Sequence, residues 1–235
     1  MSFELALRAT EIMLALAMLQ QSLEHFVGPK SEKLLFGVRS VLCVLLIIGW
    51  QNGSILWVIL MLALISLHRF QGPYNGGSDR MTFLILFCIA CVHAAPSQPL
   101  KELVFAYLAV QLALSYFVSG YIKIINPEWR SGTALCDVFR FSAYPVSENL
   151  RKWADRPRTL FWMSWGVMGF EVVFPLTLLH PMSLMMGLFV AACFHFSNAC
   201  FFGLNRFFWA WLCAYPSILW FQDRVFGPDF LHHIL

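Results

Sequence analysis

Residues 116–134 read YFVSGYIKIINPEWRSGTA, an apolar stretch that carries one lysine and then breaks into a polar turn. The lysine is Lys123, and the break falls at Asn126-Pro127. An ionisable group at membrane depth is costly, so it commonly marks a functional site. The alternative is an interfacial lysine whose stem lies in lipid and whose ammonium lies among the headgroups. Both interpretations are open from the position alone.

The composition around this stretch is that of a membrane protein. Hydrophobic residues make up 59% of the chain and charged residues only 12%, whereas soluble domains carry about 25% charged residues. Apolar runs recur along the whole chain, each near the roughly 20 residues that span a bilayer. No basic run is interleaved with aromatic residues, so no nucleic-acid partner is expected. The composition predicts an all-α integral membrane protein whose surroundings are the lipid bilayer.

Eight hydrophobic segments predict a bundle of about eight transmembrane helices in a single membrane domain, residues 1–235. The segments are Leu5–Val27, Leu34–Trp50, Ser54–Leu67, Met81–Ala95, Glu102–Ile125, Thr159–Leu179, Met182–Phe202 and Phe207–Phe221. The third is short, so a tilted or partly re-entrant path is an alternative to a full crossing. Before the fourth, Ser78 or Asp79 is a predicted helix N-cap.

Residues 126–158 form the longest polar region, and they mix basic with aromatic side chains. This pattern predicts an interfacial loop, partly helical, with aromatic residues toward the lipid and basic residues toward the headgroups. Lysine and arginine are concentrated on one side of the predicted bundle. With eight full crossings, that bias places both termini outside the cytoplasm.

Polar residues inside the predicted spans must find partners within the bundle. Glu11 interrupts the first segment, and Glu171 lies near the middle of the sixth. A carboxylate at that depth must be paired, protonated or functional. His195 and Asn198 lie three residues apart in the seventh segment, which places them on one helical face.

The cysteines and histidines allow two further interpretations. Cys88 and Cys91 form a Cys-x-x-Cys pair, but inside an apolar helix cysteine usually serves as a small hydrophobic residue. The other cysteines show no zinc spacing, and no metal site is predicted. A haem or quinone anchor that uses His25, His93 and His195 is an alternative function, although no pair of these histidines has a spacing that forces it.

Several motifs resemble one membrane family. Ser119–Lys123 followed by Trp129 resembles the lysine motif of the HTTM membrane domain, which is the transmembrane part of vitamin K-dependent gamma-glutamyl carboxylase and its bacterial relatives. Phe194–Asn198 is similar to the family's later FH-x-x-N stretch. Asn75–Asp79 falls where the family has an asparagine-containing loop, and Glu171 where it has an acidic residue in a membrane helix.

The resemblance implies a function for these residues. In the carboxylase, a lysine deprotonates a reduced naphthoquinol, which then reacts with oxygen to give a base strong enough to remove an unactivated proton. Lys123 is the implied base, and a lysine acts as a base only in its neutral form, which desolvation favours. Catalytic roles are implied also for His195, which orients the quinol, and for Glu171, which holds Lys123 or a water. The implied substrate-binding residues are Asn198, Trp129, Asn75 and Asp79.

Two classes of function follow. One is a small carboxylase-like membrane enzyme of the bacterial inner membrane that uses a quinol or modifies a peptide. The other is a non-catalytic transmembrane subunit that packs against other membrane subunits in a larger complex, since a fold does not by itself imply an activity. The sequence ends at Leu235 without the large soluble part with which the carboxylase holds its substrate, and this favours the second expectation.

Overall fold

The computed structural model describes residues 1–27, 30–69, 76–142 and 148–227. These residues form helices and short connections, with no strand among them. The α-helices are α1 (Phe3–Glu24), α2 (Lys30–Ile48), α3 (Asn52–Arg69), α4 (Gly77–Ala94), α5 (Gln98–Ile125), α6 (Pro127–Ser131), α7 (Thr133–Phe141), α8 (Pro157–Val173), α9 (Pro181–Phe202) and α10 (Asn205–Phe226). Three 3-10 helices cover His25–Val27, Glu148–Asp155 and Phe174–Leu179.

The described part of the chain contains four helical stretches that are long and apolar enough to cross a membrane. They are Gly77–Ala94, Gln98–Ile125, Pro157–Leu179 and Pro181–Phe202, and a shorter apolar helix covers Asn52–His68. The prediction of an all-α integral membrane protein is confirmed. The count of eight crossings is not confirmed, because within the described ranges four stretches are both long and apolar enough to cross a membrane.

The first of two compact units comprises Met1–Ala109 and Trp209–Asp223. It contains α1 to α4, the first part of α5 and most of α10. Helices α2 and α3 form a helical hairpin, and positive φ angles at Gly49 and Gln51 make its turn. The rings of Phe3, Phe105 and Trp220 pack together with centroids 5.4–5.5 Å apart.

Polar residues of α1 find partners inside this unit, as the sequence predicts. The Glu11 side chain is 2% exposed. One oxygen of its carboxylate lies 2.5 Å from Nε2 of His93, and the other accepts hydrogen bonds from Arg8 at 2.8 Å and from Asn52 at 2.7 Å. Arg8 also donates to the carbonyls of the last turn of α2, which otherwise lack intrahelical partners. This Glu11 cluster joins α1 to α2, α3 and α4.

The second unit comprises Val110–Phe208 and, among the described residues, 224–227. Asn126 ends α5 and caps α6, since its side-chain oxygen accepts the N–H of Glu128 at 2.9 Å. Pro127 occupies the first position of α6, where a helix does not need a backbone N–H. The predicted break at Asn126-Pro127 is therefore confirmed, and its cause is local.

The region 126–158 is partly helical, as predicted, but one of its aromatic residues faces the protein. Phe139 is 3% exposed and packs against Leu160 and Phe202, with its ring centroid 5.0 Å from that of Phe202. Phe141, two residues later, is 71% exposed. The prediction that the aromatic side chains of this region turn toward lipid is wrong for Phe139, because α7 packs that face against α8 and the 3-10 helix Glu148–Asp155.

Candidate functional site

One face of α5 carries the candidate site. Tyr116, Gly120 and Lys123 are spaced by four and three residues, which places them above one another on a single helical face. That face packs against α8 and its 3-10 extension and against α9: Gly120 meets Glu171, while the ring of Tyr116 contacts Phe174 and His195. The lysine motif is therefore a packing surface for the neighbouring helices.

Lys123 and Glu171 form an ion pair within the second unit. The Lys123 ammonium donates to both carboxylate oxygens, at 2.6 and 2.5 Å. The Glu171 side chain is 4% exposed, whereas that of Lys123 is 19% exposed. The carboxylate is thus the more buried partner, and the lysine side chain is partly exposed.

Gly120 makes this pair possible. A Cβ atom at Gly120 would lie 2.8 Å from the Glu171 Cβ and 2.8 Å from the backbone nitrogen of Val172. Real Cβ atoms essentially never approach other atoms this closely, so only glycine permits the observed approach of α5 to α8. The two residues of the motif therefore depend on each other. Gly120 allows the short separation of α5 and α8 that Lys123 needs to reach Glu171.

Trp129 completes the surroundings of the ammonium. Its ring centroid lies 5.3 Å from Nζ of Lys123, within the range of a cation–π interaction. The short helix α6 that carries it is fixed to α8, because Ser164 donates to the Trp129 carbonyl at 2.6 Å and the Trp165 indole donates to the Arg130 carbonyl at 3.1 Å. The sequence-predicted pair of Lys123 and Trp129 thus shares one site.

His195 is held by a residue that the sequence analysis missed. Its Nε2 lies 3.0 Å from the hydroxyl of Tyr116, and both side chains are almost fully buried. Tyr116 also packs against Phe174, with ring centroids 4.2 Å apart. Asn198 lies one turn further along α9 and is half-buried. The spacing of Tyr116 seven residues before Lys123 is the signal that could have found it.

Two predicted binding residues are not among those that the second unit brings together. Asn75 lies outside the described residues. Asp79 belongs to the first unit, where it accepts a hydrogen bond from Gln21 at 3.4 Å. The prediction that Ser78 or Asp79 caps α4 is wrong, because the helix already begins at Gly77 and Gly76 is its N-cap. The functional roles of all seven residues stay predictions.

The three histidines of the haem alternative are each engaged with protein groups. His25 stacks on Phe36 at a centroid distance of 3.9 Å, and His93 contacts Glu11. Both lie in the first unit, while His195 lies in the second. These contacts give the haem alternative no support. Within the described ranges, no group of three or more histidine, cysteine or acidic side chains is placed to hold a metal ion.

Comparison with known proteins gives one match. The family model for the HTTM domain matches residues 91–223. This range is more than half of the chain, and it includes Lys123, Trp129, Glu171, His195 and Asn198. Among curated proteins and among solved structures, no match was found.

Proposed function

Because the chain belongs to the HTTM domain family, we propose that it is a quinol-using membrane enzyme in which Lys123 is the general base. The single observation that carries the proposal is the Lys123–Glu171 pair, with the carboxylate almost fully buried and the lysine side chain partly exposed. A base in this arrangement can take a proton from an incoming molecule. The fixed Glu171 carboxylate then stabilises the positive charge that the base acquires.

The pair allows Lys123 to be neutral without leaving a net charge in the site. The proton of the pair can lie on the lysine, as ammonium with carboxylate, or on Glu171, as amine with carboxylic acid. Both forms have zero net charge, and a low-dielectric environment disfavours separated charges. In the second form the Lys123 amine has a free electron pair and can accept a proton from a hydroxyl group.

The residues around the pair suit a flat aromatic ring with oxygen substituents. The rings of Trp129 and Tyr116 flank the lysine face of α5, and the Tyr116–His195 hydrogen bond holds a polar group on the same side. A reduced naphthoquinol, when bound, supplies the acidic hydroxyl and, with oxygen, the strong base. In this proposal His195 and Asn198 orient the hydroxyl toward Nζ of Lys123, and the surrounding apolar side chains exclude water.

The test is the substitution Lys123→Arg. Arginine can keep the charge and the pairing with Glu171, but it does not give up its proton. We expect naphthoquinol oxidation by the purified, membrane-reconstituted protein to fall by about 10²–10⁴-fold, the usual contribution of general base catalysis. The matched control is Lys152→Arg, which changes an exposed lysine of the same unit that binds Asn149 and should leave the rate unchanged.

Full activity in Lys123→Arg at an equal membrane level would rule out Lys123 as the base. The ion pair would then be a structural contact between α5 and α8. The remaining function would be that of a non-catalytic subunit of a larger membrane complex, in which other membrane proteins are the partners.

A further inference from the structure

Helix α6 and the first half of α8 form one outer surface of the second unit. The Trp165 indole donates to the Arg130 carbonyl at 3.1 Å, which fixes the end of α6 beside α8. Gly132 follows α6 with a φ of +82°, and a Cβ atom there would lie 2.8 Å from the Cα of Phe161. Only glycine therefore fits at this contact, and Arg130 lies next to the turn of α8 that carries Trp165.

Two arginines and two tryptophans are exposed here, and together they form the α6–α8 surface. Arg158, Trp162 and Trp165 are spaced by four and three residues, which places them on one face of α8. Trp162 is 73% exposed and Trp165 39% exposed, and Arg130 and Arg158 are exposed as well. Arg158 lies in the first turn of Pro157–Leu179, a stretch that is long and apolar enough to cross a membrane. Because indole rings are enriched where headgroups meet acyl chains, we expect this surface to lie at the edge of the bilayer.

The two arginines of the α6–α8 surface differ from the other basic residues nearby, which have partners within the protein. Those pairs are Arg140 with Asp155 at 3.9 Å, Arg151 with Glu148 at 2.7 Å, Lys152 with Asn149 at 3.0 Å and Arg156 with the ring of Trp153 at 5.2 Å. Among the described residues, no acidic side chain lies within 4.0 Å of the Arg130 or Arg158 guanidinium. Glu128 is two positions from Arg130, and residues two apart on a helix do not face each other. The positive charge of this surface is therefore left for an anion from outside the protein.

We propose that the α6–α8 surface binds anionic phospholipid, with the phosphate at the guanidinium groups and the glycerol and upper acyl carbons against the indole rings. The planar guanidinium group of arginine matches the geometry of phosphate oxygens. The ammonium of a zwitterionic phospholipid would bring a further positive charge to two arginines that have no carboxylate, whereas the uncharged head of phosphatidylglycerol would not. None of the four residues belongs to the Lys123 site, so this binding is separate from the proposed reaction.

The experiment uses the full chain in detergent, to which phosphatidylglycerol and phosphatidylcholine with identical acyl chains are added in equal amounts. Native mass spectrometry counts the lipid molecules that stay bound and gives a Kd for each lipid. We expect the wild-type chain to bind phosphatidylglycerol more tightly than phosphatidylcholine. Arg158→Gln should raise the Kd for phosphatidylglycerol about fivefold, the ratio that one basic residue contributes near an anionic surface. Arg158→Gln combined with Arg130→Gln should raise it about 25-fold, because the two contributions multiply.

The matched control is Lys152→Gln, which removes an exposed positive charge from the same unit, one that already has Asn149 as its partner. It should leave the Kd for phosphatidylglycerol unchanged. The same Kd in folded Arg158→Gln and Lys152→Gln protein would overturn the assignment to the α6–α8 surface. Equal binding of the two lipids by the wild-type chain would overturn the preference for anionic phospholipid, and this comparison decides even if a variant fails to fold.

Discussion

At the scale of single residues, the candidate site depends as much on Gly120 as on Lys123. Lysine supplies the amine, but it reaches Glu171 only because no side chain separates α5 from α8 at the preceding turn. Tyr116 lies one turn earlier on the same face of α5, and its hydroxyl forms a hydrogen bond with His195. Three residues on one face of α5 thus have three roles. Gly120 allows the close approach of α5 to α8, Lys123 pairs with Glu171, and Tyr116 orients His195.

We predict that Gly120→Ala destabilises the protein by about 1–3 kcal/mol, the usual cost of overpacking, because α5 and α8 must move apart. The measurement is thermal or denaturant unfolding in detergent micelles. Quinol oxidation should fall as well, since the Lys123–Glu171 pair would lose its geometry.

The controls for this variant are Gly166→Ala and Gly169→Ala on α8. A Cβ at either position would meet no atom within 4 Å, and alanine is up to about 1 kcal/mol more favourable than glycine in a helix interior. Both should leave stability unchanged or raise it. A Gly120→Ala variant as stable as these two would show that the close approach of α5 to α8 is unimportant.

At the scale of helices, α1 is fixed by one buried carboxylate. Glu11 contacts Arg8, Asn52 and His93 at once. We predict that Glu11→Gln, which keeps the shape but removes the charge, destabilises the first unit by about 3–5 kcal/mol, the range for breaking a buried pair by removal of one partner. Unfolding of the first unit can be followed by hydrogen exchange of α1 amides.

Glu4→Gln is the matched control, because Glu4 lies on the same helix and is exposed. Surface substitutions usually change stability by no more than about 0.5 kcal/mol. If both variants lowered protection of α1 amides equally, the Glu11 cluster would contribute no more than an exposed carboxylate.

The helices themselves show what the sequence could and could not predict. The end of α5 was predictable because Asn126 and Pro127 act locally on the backbone. The start of α4 was not, since Gly76 and Gly77 are typical of a loop and yet the helix includes the second of them. Phe139 was assigned to lipid because amphipathic spacing cannot show that Phe202, far along the chain, packs against it.

The sequence predicts the burial of polar residues more readily than the identity of their partners. The sequence shows that Glu11 and Glu171 need partners, since carboxylates in apolar helices cannot face lipid cheaply. It does not show which residues these are: Glu171 is 48 positions from Lys123, and His93 is 82 positions from Glu11. The family resemblance left Lys123 or a water as the partner of Glu171, whereas His93 and Tyr116 became visible as partners only in the structure.

At the scale of the whole molecule, the open question is how the chain crosses the bilayer. The basic residues of 126–158 and their neighbours predict that this region faces the cytoplasm and that both termini lie on the opposite side. Fusions of alkaline phosphatase, which is active only outside the cytoplasm, test this. We expect activity for fusions at the N- and C-termini and none for a fusion at Asn149. Unlike results at the two termini would show an odd number of crossings.

The Lys123–Glu171 pair also has a consequence for how the protein is made. Lys123 leaves the ribosome 48 residues before Glu171, which at about 5–20 residues per second is an interval of roughly 2–10 s. During that interval α5 has a lysine near its end without its carboxylate, and an uncompensated charge in a membrane segment is costly. We therefore expect full insertion of α5 to wait for α8, so that the two helices integrate as a pair. A nascent chain whose synthesis stops between these two residues keeps a lysine without its carboxylate in its membrane segment. Membrane quality-control proteases can distinguish it from the finished protein by this feature.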